Sequence, residues 1–336
     1  MYKDRKSIYQ KLEKRRNTKL ITYVTGDRRG LETQIHSEVL DFLVKHLDSI
    51  GETSKISLFL YTRGGNTLAA WSIANLIRQY CETFEVIVPS KAHSAGTLIA
   101  LGANEIVMTK QATLGPIDPS VNTPLNPQVP GADPNARLPV SVEAINGFME
   151  LAKEAGVENG ENLTSVLTSL SSQVHPLVLG QVFRARSQIK MLGRRLLAKH
   201  LNDEETIEKT ISFLCSESGS HDYTIYRAEA KDELGLNVTE PDKKEYELIK
   251  SIYDDISDEL CLSEPFNPQI HRAGEQEVKY NFTRALIEST EGGCYKYVSS
   301  GCLTRRQIIV DKTNNIVQEV TQDEKTLERW VQDEHV

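Results

Sequence analysis

No apolar run in the sequence approaches the ~20 residues that a membrane-spanning helix needs. The N-terminal stretch MYKDRKSIYQKLEKRR lacks the apolar segment of a signal peptide. Cysteine is scarce. Cys81, Cys215, Cys261, Cys294 and Cys302 form an odd, scattered set with no Cys-x-x-Cys pair, so neither a disulfide framework nor a metal site is expected. A reducing cytoplasm is the predicted compartment, with no membrane association. Positive charge is not in surplus either: 39 Lys and Arg stand against 47 Asp and Glu, a net charge of −8, which argues against a general nucleic-acid binder. Three glycosylation-type sequons, at Asn162, Asn237 and Asn281, are chance matches if the chain never enters a secretory pathway. There is no internal repeat and no low-complexity tract. What is present is an ordinary globular composition, 39% hydrophobic and 26% charged over 336 residues. At roughly 150 residues per domain that length predicts about two domains, or one large domain with an appendage.

Apolar periodicity organises the chain. Residues 1–17 read as a polar, solvated helical arm. The runs KLITYVTG (19–26), ISLFLYT (56–62), FEVIVPS (84–90) and EIVMT (105–109) read as strands, and the second is apolar almost throughout, as a strand buried on both faces would be. Helical spacing lies between them at 33–50, 67–81 and 96–103. Alternation of strand and helix over this length predicts an α/β fold with a mainly parallel sheet covered by helices. The segment 115–139 holds seven of the twelve prolines and reads as an ordered but irregular loop. Residues 141–156 and 163–214 read as helical, with Pro176 in a first turn or at a kink. From 244 to 336 the character changes to a charged helix, a Pro-containing linker and β-like runs around Asn314–Asn315, a hairpin-turn candidate. This part is expected to form a separate small α+β unit, leaving 18–243 as the main domain.

Chemistry concentrates in VPSKAHSAGTLIALGA. A buried strand runs into a turn of small residues with Ser94 at its apex, and a helix follows at once. The free N–H groups at that helix start would face a developing oxyanion. A serine that merely caps a helix produces the same local pattern. A second element, YTRGGNTLAAW, puts Gly64 and Gly65 at the C-terminal end of the preceding strand. In a parallel sheet the two strand ends share the edge where ligands bind. Gly65 N–H and Ala95 N–H could then form two halves of an oxyanion hole beside Ser94.

TRGG, AHSAGTLIALGANEIVM, LGPIDPS and HDYTIYRAEAKDELGL together resemble the serine dehydrogenase proteinase family. These are Clp-fold serine peptidases related to ClpP and signal peptide peptidase A. The resemblance covers roughly residues 18–240 and implies a ClpP/crotonase-like fold, a serine protease working without cofactor on protein or peptide substrates, and a homo-oligomer. It implies Ser94 as nucleophile, Gly65 and Ala95 as oxyanion donors, and a Ser, Asp, His order that Asp118 in GPIDP fits. For the histidine, His221 in SGSHDY and His175 in HPLVLG both remain open, as does the absence of any catalytic histidine. His93 beside the nucleophile is expected to point away. A Ser–Lys dyad is disfavoured, because positions 134–146 hold only Arg137, and Lys153 is the first lysine after them. Two other readings compete. One is an inactive Clp-fold module that binds a peptide or partner, and the other a crotonase-like acyl-CoA enzyme, for which no phosphate- or adenine-binding signature is evident.

Overall fold

The computed structural model describes all residues apart from 118–119, 132, 134, 158–159, 218–219, 312–315 and 334–336. Along the chain run α1 (Tyr2–Arg16), β1 (Lys19–Thr25), α2 (Val39–Ile50), β2 (Thr53–Tyr61), α3 (Thr67–Ile77), β3 (Cys81–Val88), β4 (Lys91–Ala92), α4 (Ala95–Leu101), β5 (Glu105–Met108) and β6 (Thr113–Leu114). The middle holds β7 (Ser120–Val121), β8 (Val140–Ser141), α5 (Val142–Glu154), α6 (Gly160–Gln173), α7 (Pro176–Leu197), α8 (Glu204–Ser212) and β9 (Ile225–Tyr226). The last part comprises β10 (Val238–Thr239), α9 (Lys243–Glu259), α10 (Pro268–Arg272), β11 (Glu277–Ser289), β12 (Gly293–Asp311) and β13 (Ile316–Gln332). Two compact units result, one of Met1–Thr113 with Asn237–Val336, the other of Leu114–Leu236.

The first unit is built on an eight-stranded sheet in the order β10-β5-β3-β2-β1-β11-β12-β13. β10, β5, β3, β2 and β1 run parallel, as expected of strands whose apolar residues are buried on both faces. Leu58, Phe59 and Leu60 of β2, and Val86, Ile87 and Val88 of β3, are all fully buried. The protein is therefore a mixed α/β protein with a large, mostly parallel sheet, as the strand–helix alternation foreshadows.

Both ends of the chain depart from the sequence expectation. Residues 244–336, expected to fold as a separate α+β unit, extend this same sheet, with β11 antiparallel to β1 from Ile21↔Ser289 to Thr25↔Ala285. The physical reason is the edge of β1. It is apolar on both faces and would otherwise leave a row of backbone donors and acceptors unpaired in the middle of the protein. The 1–17 segment is likewise not a solvated arm. α1 buries Tyr2, Arg5, Tyr9 and Leu12, and Tyr9 and Leu12 share a core with Ile249, Ile252 and Ile256 of α9. Arg5 is fully buried because Glu288 of β11 meets it at 2.6 and 3.1 Å and Glu259 of α9 at 2.7 Å. Tyr9 donates to the same Glu288. A buried charge survives only with such partners.

A second ion cluster ties the end of α1 to β2 and β3. The carboxylate of Glu85 on β3, fully buried, accepts from Arg16 at 2.8 and 2.6 Å and from Ser57 at 2.6 Å, and pairs with Lys55 at 2.5 Å. Burial pushes its pKa up. The two Arg16 bonds and charge, with Lys55 and Ser57, more than offset that and hold it at about 2.

The second unit is mostly helical, α5 to α8, over a small core of Val121, Val140, Val142, Val178 and Val182. Its proline-rich loop is ordered by buried Asn126, whose amide donates to Val121 O at 2.7 Å and Leu138 O at 2.8 Å. The helical stretch expected over 163–214 is broken into α6, α7 and α8, with Pro176 in the first turn of α7. Asn314–Asn315, the hairpin-turn candidate, lies outside the described residues, although the flanking strands β12 and β13 do pair antiparallel.

Candidate active site

The elbow that carries Ser94 is assembled by strand-end hydrogen bonds. After β3 the chain turns back so that β4 runs beside the end of β2, with Thr62 N donating to Lys91 O and His93 N to Thr62 O, both at 3.1 Å. α4 then starts at Ala95, and Gly96 N donates to His93 O at 2.8 Å and Leu98 N to Ser94 O at 3.1 Å. Between these two constraints Ser94 sits at φ 51°, ψ −114°. That is a conformation which side chains other than glycine adopt at a cost of order 1–3 kcal/mol. No side-chain capping bond compensates for it at the helix start, so the helix-cap reading of Ser94 has no bond to rest on.

Facing the elbow are two glycines that the chemistry of space requires. A Cβ on Gly64 (φ +116°) would lie 2.7 Å from Ser94 Cβ and 3.2 Å from Ser94 Oγ. A Cβ on Gly65 (φ +144°) would lie 2.4 Å from Ile35 O and 2.5 Å from Ile35 N. Ile35 N donates to Gly64 O and Asn66 N to Ile35 O, each at 2.8 Å, which brackets Gly65 on both sides. Gly64 N–H is committed to Thr62 Oγ1 at 3.0 Å. Among the described residues of this unit, neither Gly65 N–H nor Ala95 N–H, nor the Ser94 hydroxyl, has a hydrogen-bond partner. These three groups therefore remain available to a substrate at one sheet edge.

Two supports of the elbow are not legible from local sequence. Thr25 and Thr62, at the ends of adjacent parallel strands, share a buried hydroxyl–hydroxyl bond of 2.7 Å. The methyl of Thr62 fills the space that Gly96 leaves empty. The only local signal is a Thr at the end of each strand, in VTGD and YTRG. Asp27, given no role from the sequence, accepts from Tyr61 OH at 2.7 Å and Lys91 Nζ at 2.8 Å. Burial, and then the adjacent Asp27 carboxylate, push the Tyr61 phenol far above its usual range, so it remains a donor. Lys91, three residues before Ser94, is thus occupied by an ion pair.

The other candidates are distributed as follows. His93 bonds through Nε2 to Thr113 Oγ1 at 2.8 Å. Asp118 lies outside the described residues. His175 and His221 belong to the second unit and are exposed. His175 is the N-cap of α7, its Nδ1 accepting from Leu177 N at 3.2 Å. Among the described residues, no group of three or more His, Cys, Asp or Glu side chains is placed to hold a metal ion. No helix among them is long and apolar enough to cross a membrane.

A mostly parallel sheet with a strained serine at one strand end and a Gly-Gly turn at the next makes this an α/β protein with a candidate nucleophile at a sheet edge. Residues 1–130 match the family of ClpP-like, SDH-type serine proteinases. That stretch contains TRGG and AHSAGT; His175 and His221 lie beyond it. The chain is 29% identical over 240 residues to an uncharacterized protein of Methanocaldococcus jannaschii, covering 70% of this chain and 73% of the relative. A second uncharacterized protein of the same organism is 30% identical over 203 residues, 59% of this chain and 57% of the relative. Among solved structures, the 1510-N membrane-bound stomatin-specific protease overlaps with a TM-score of 0.39 at 18% identity, over 68% of this chain and 83% of that one. ClpP1 from Listeria monocytogenes overlaps with a TM-score of 0.36 at 19% identity, over 70% of this chain and 97% of that one.

Proposed function

We propose that the protein is a serine peptidase that hydrolyses peptide bonds of protein or peptide substrates through an acyl-enzyme on Ser94. The observation that carries this reading is the backbone of Ser94, held at a positive φ against Gly64 with no capping bond in return. Strain retained at one position marks a site where geometry serves something other than stability. Ser94 Oγ attacks the scissile carbonyl carbon while a general base takes its proton. Gly65 N–H and Ala95 N–H receive the oxyanion. Collapse of the tetrahedral species expels the amine with that proton, and water then repeats the sequence on the ester to release the acid. His221 is the base in this reading and Asp118 its orienting carboxylate, with His175 the alternative base. The capping bond of His175 Nδ1 favours a structural role for that residue. The reading includes a cytoplasmic location.

A fluorophosphonate probe tests it. Wild-type protein is expected to label at Ser94 and Ser94→Ala not at all. His221→Ala is expected to slow labelling by at least about a hundredfold, the low end for loss of a general base, and His175→Ala much less. Labelling that survives Ser94→Ala rejects the nucleophile and leaves the inactive binding module as the better reading. The reverse ranking of the two histidine variants reverses their roles.

A further inference from the structure

β13 is the outermost strand of the eight-stranded sheet, 17 residues long and without proline. Sheet edges of that length are normally shortened, covered or charged against pairing with another chain. Its charges follow a pattern that a simple repelling edge does not need. Leu327 pairs with Ser300 of β12, while Lys325 pairs with the next residue, Gly301, so Thr326 is an extra residue in a bulge. The bulge resets which side chains share a face. Glu324, Leu327 and Arg329 stand opposite Cys302, Ser300 and Val298, all on one face because alternate residues of a strand share a face. Asp323, Lys325 and Glu328 stand opposite Leu303, Gly301 and Ser299, on the other.

We propose that β13 pairs antiparallel with β13 of a second copy of this chain, about a two-fold axis at Leu327. A two-fold axis normal to the sheet keeps each residue on its own face and makes the interface self-complementary. With Leu327 on the axis, Glu324 meets Arg329 of the second copy and Lys325 meets Glu328 of the second copy, and symmetry repeats each pair. Without the bulge these partners would lie on opposite faces. Moving the axis by one residue either way sets Lys325 against Lys325 or Glu328 against Glu328, so the charges select one register as well as permitting it. Within its own unit Glu328 already receives Arg284 and lies 3.6 Å from Lys325, and Glu324 lies 3.5 Å from Arg306. Arg329 is exposed and has no ion pair among the described residues of its unit. The second copy's Glu324 would supply one. The pairing is independent of the Ser94 chemistry.

Sedimentation of the full chain from about 1 to about 100 μM tests it, a range suited to a small interface. Wild type is expected as a reversible dimer. Glu324→Arg and Arg329→Glu each create like-charge pairs on both sides of the axis and are expected to weaken the dimer by about tenfold or more. An equimolar mixture of the two variants restores both ion pairs in a heterodimer and is expected to recover the wild-type mass. The double variant, which swaps the charges within one chain, is expected to recover it too. A wild type that stays monomeric over the range, an oligomer that neither single variant weakens, or a mixture that fails to recover the dimer overturns the pairing.

Discussion

Replacing Gly96 by alanine probes how tightly the Ser94 elbow is packed. An added Cβ would lie 2.4 Å from Thr62 Cγ2, closer than two carbons can approach. Thr62 cannot readily turn away. It is fully buried, its β-branched side chain has few open rotamers, and its hydroxyl is bonded to Thr25 Oγ1 at 2.7 Å and to Gly64 N at 3.0 Å. α4 must therefore shift, an overpacking cost of about 1–3 kcal/mol. Gly96 has no positive φ, so alanine recovers about 1 kcal/mol of helix propensity, and the net loss is expected at about 0–2 kcal/mol. Thr62→Ser alone removes the clashing methyl and keeps the hydroxyl, at a cost of about 1 kcal/mol for the lost burial. In the double variant the new methyl keeps only ordinary van der Waals contacts, with Ala92 Cβ at 3.4 Å and Thr62 Cβ at 3.9 Å, so the two changes compensate. Urea denaturation of the wild type, both single variants and the double variant reads this as a coupling of about 1–3 kcal/mol. Probe labelling of Ser94 should slow in Gly96→Ala and recover in the double. Additive losses, with no coupling between the two sites, would refute the packing account of the elbow.

Ser94→Gly is expected to abolish labelling while raising stability by about 1 kcal/mol, because glycine adopts this φ without strain; a lower melting temperature would show that Ser94 is not strained. Glu85→Gln tests the buried ion cluster. The folded pKa of Glu85, about 2, lies below its ordinary 4.5, so the stabilisation is present above about pH 4.5 and is lost as pH falls toward 2. The gap between wild type and variant in unfolding free energy, on the order of 3 kcal/mol at neutral pH, should close over that window and not above it. A chain ended after residue 243 is expected not to fold, since β1 loses β11, and Arg5 and Tyr9 lose Glu288. A cooperative melt with native-like circular dichroism would contradict this.

What could be seen in advance was local. Strands of consecutive apolar residues, helices between them, and small residues at two strand ends announce the parallel sheet and the Ser94–Gly65 edge without any long-range information. Of the two readings of Pro176, a first turn or a kink, the structure has the first turn. The failures share one cause. Arg5 on α1 looks like a solvent-facing charge until Glu288, 283 residues later, is brought against it. β11 alternates polar and apolar residues, EVKYNFTRALIES, because much of its length faces water on one side, so it does not look like part of a doubly covered sheet. The Thr25–Thr62 bond joins hydroxyls 37 residues apart, and no spacing rule connects them.

The placement of β11 between β1 and the terminal hairpin bears on how the protein is made. β1 ends at Thr25, and its antiparallel neighbour begins at Glu277. At ~5–20 residues per second of synthesis, roughly 10–50 s separate the two. Through that interval β1 has an open edge, and Thr25, which braces Thr62 beneath the elbow, sits on that strand. The parallel strands and the SAGT turn are translated long before the strand that closes them, so the nascent chain carries an apolar edge open to other chains. Contacts this distant in sequence slow folding. This protein is therefore expected to depend on chaperones that shield β-edges more than its modest size alone would imply.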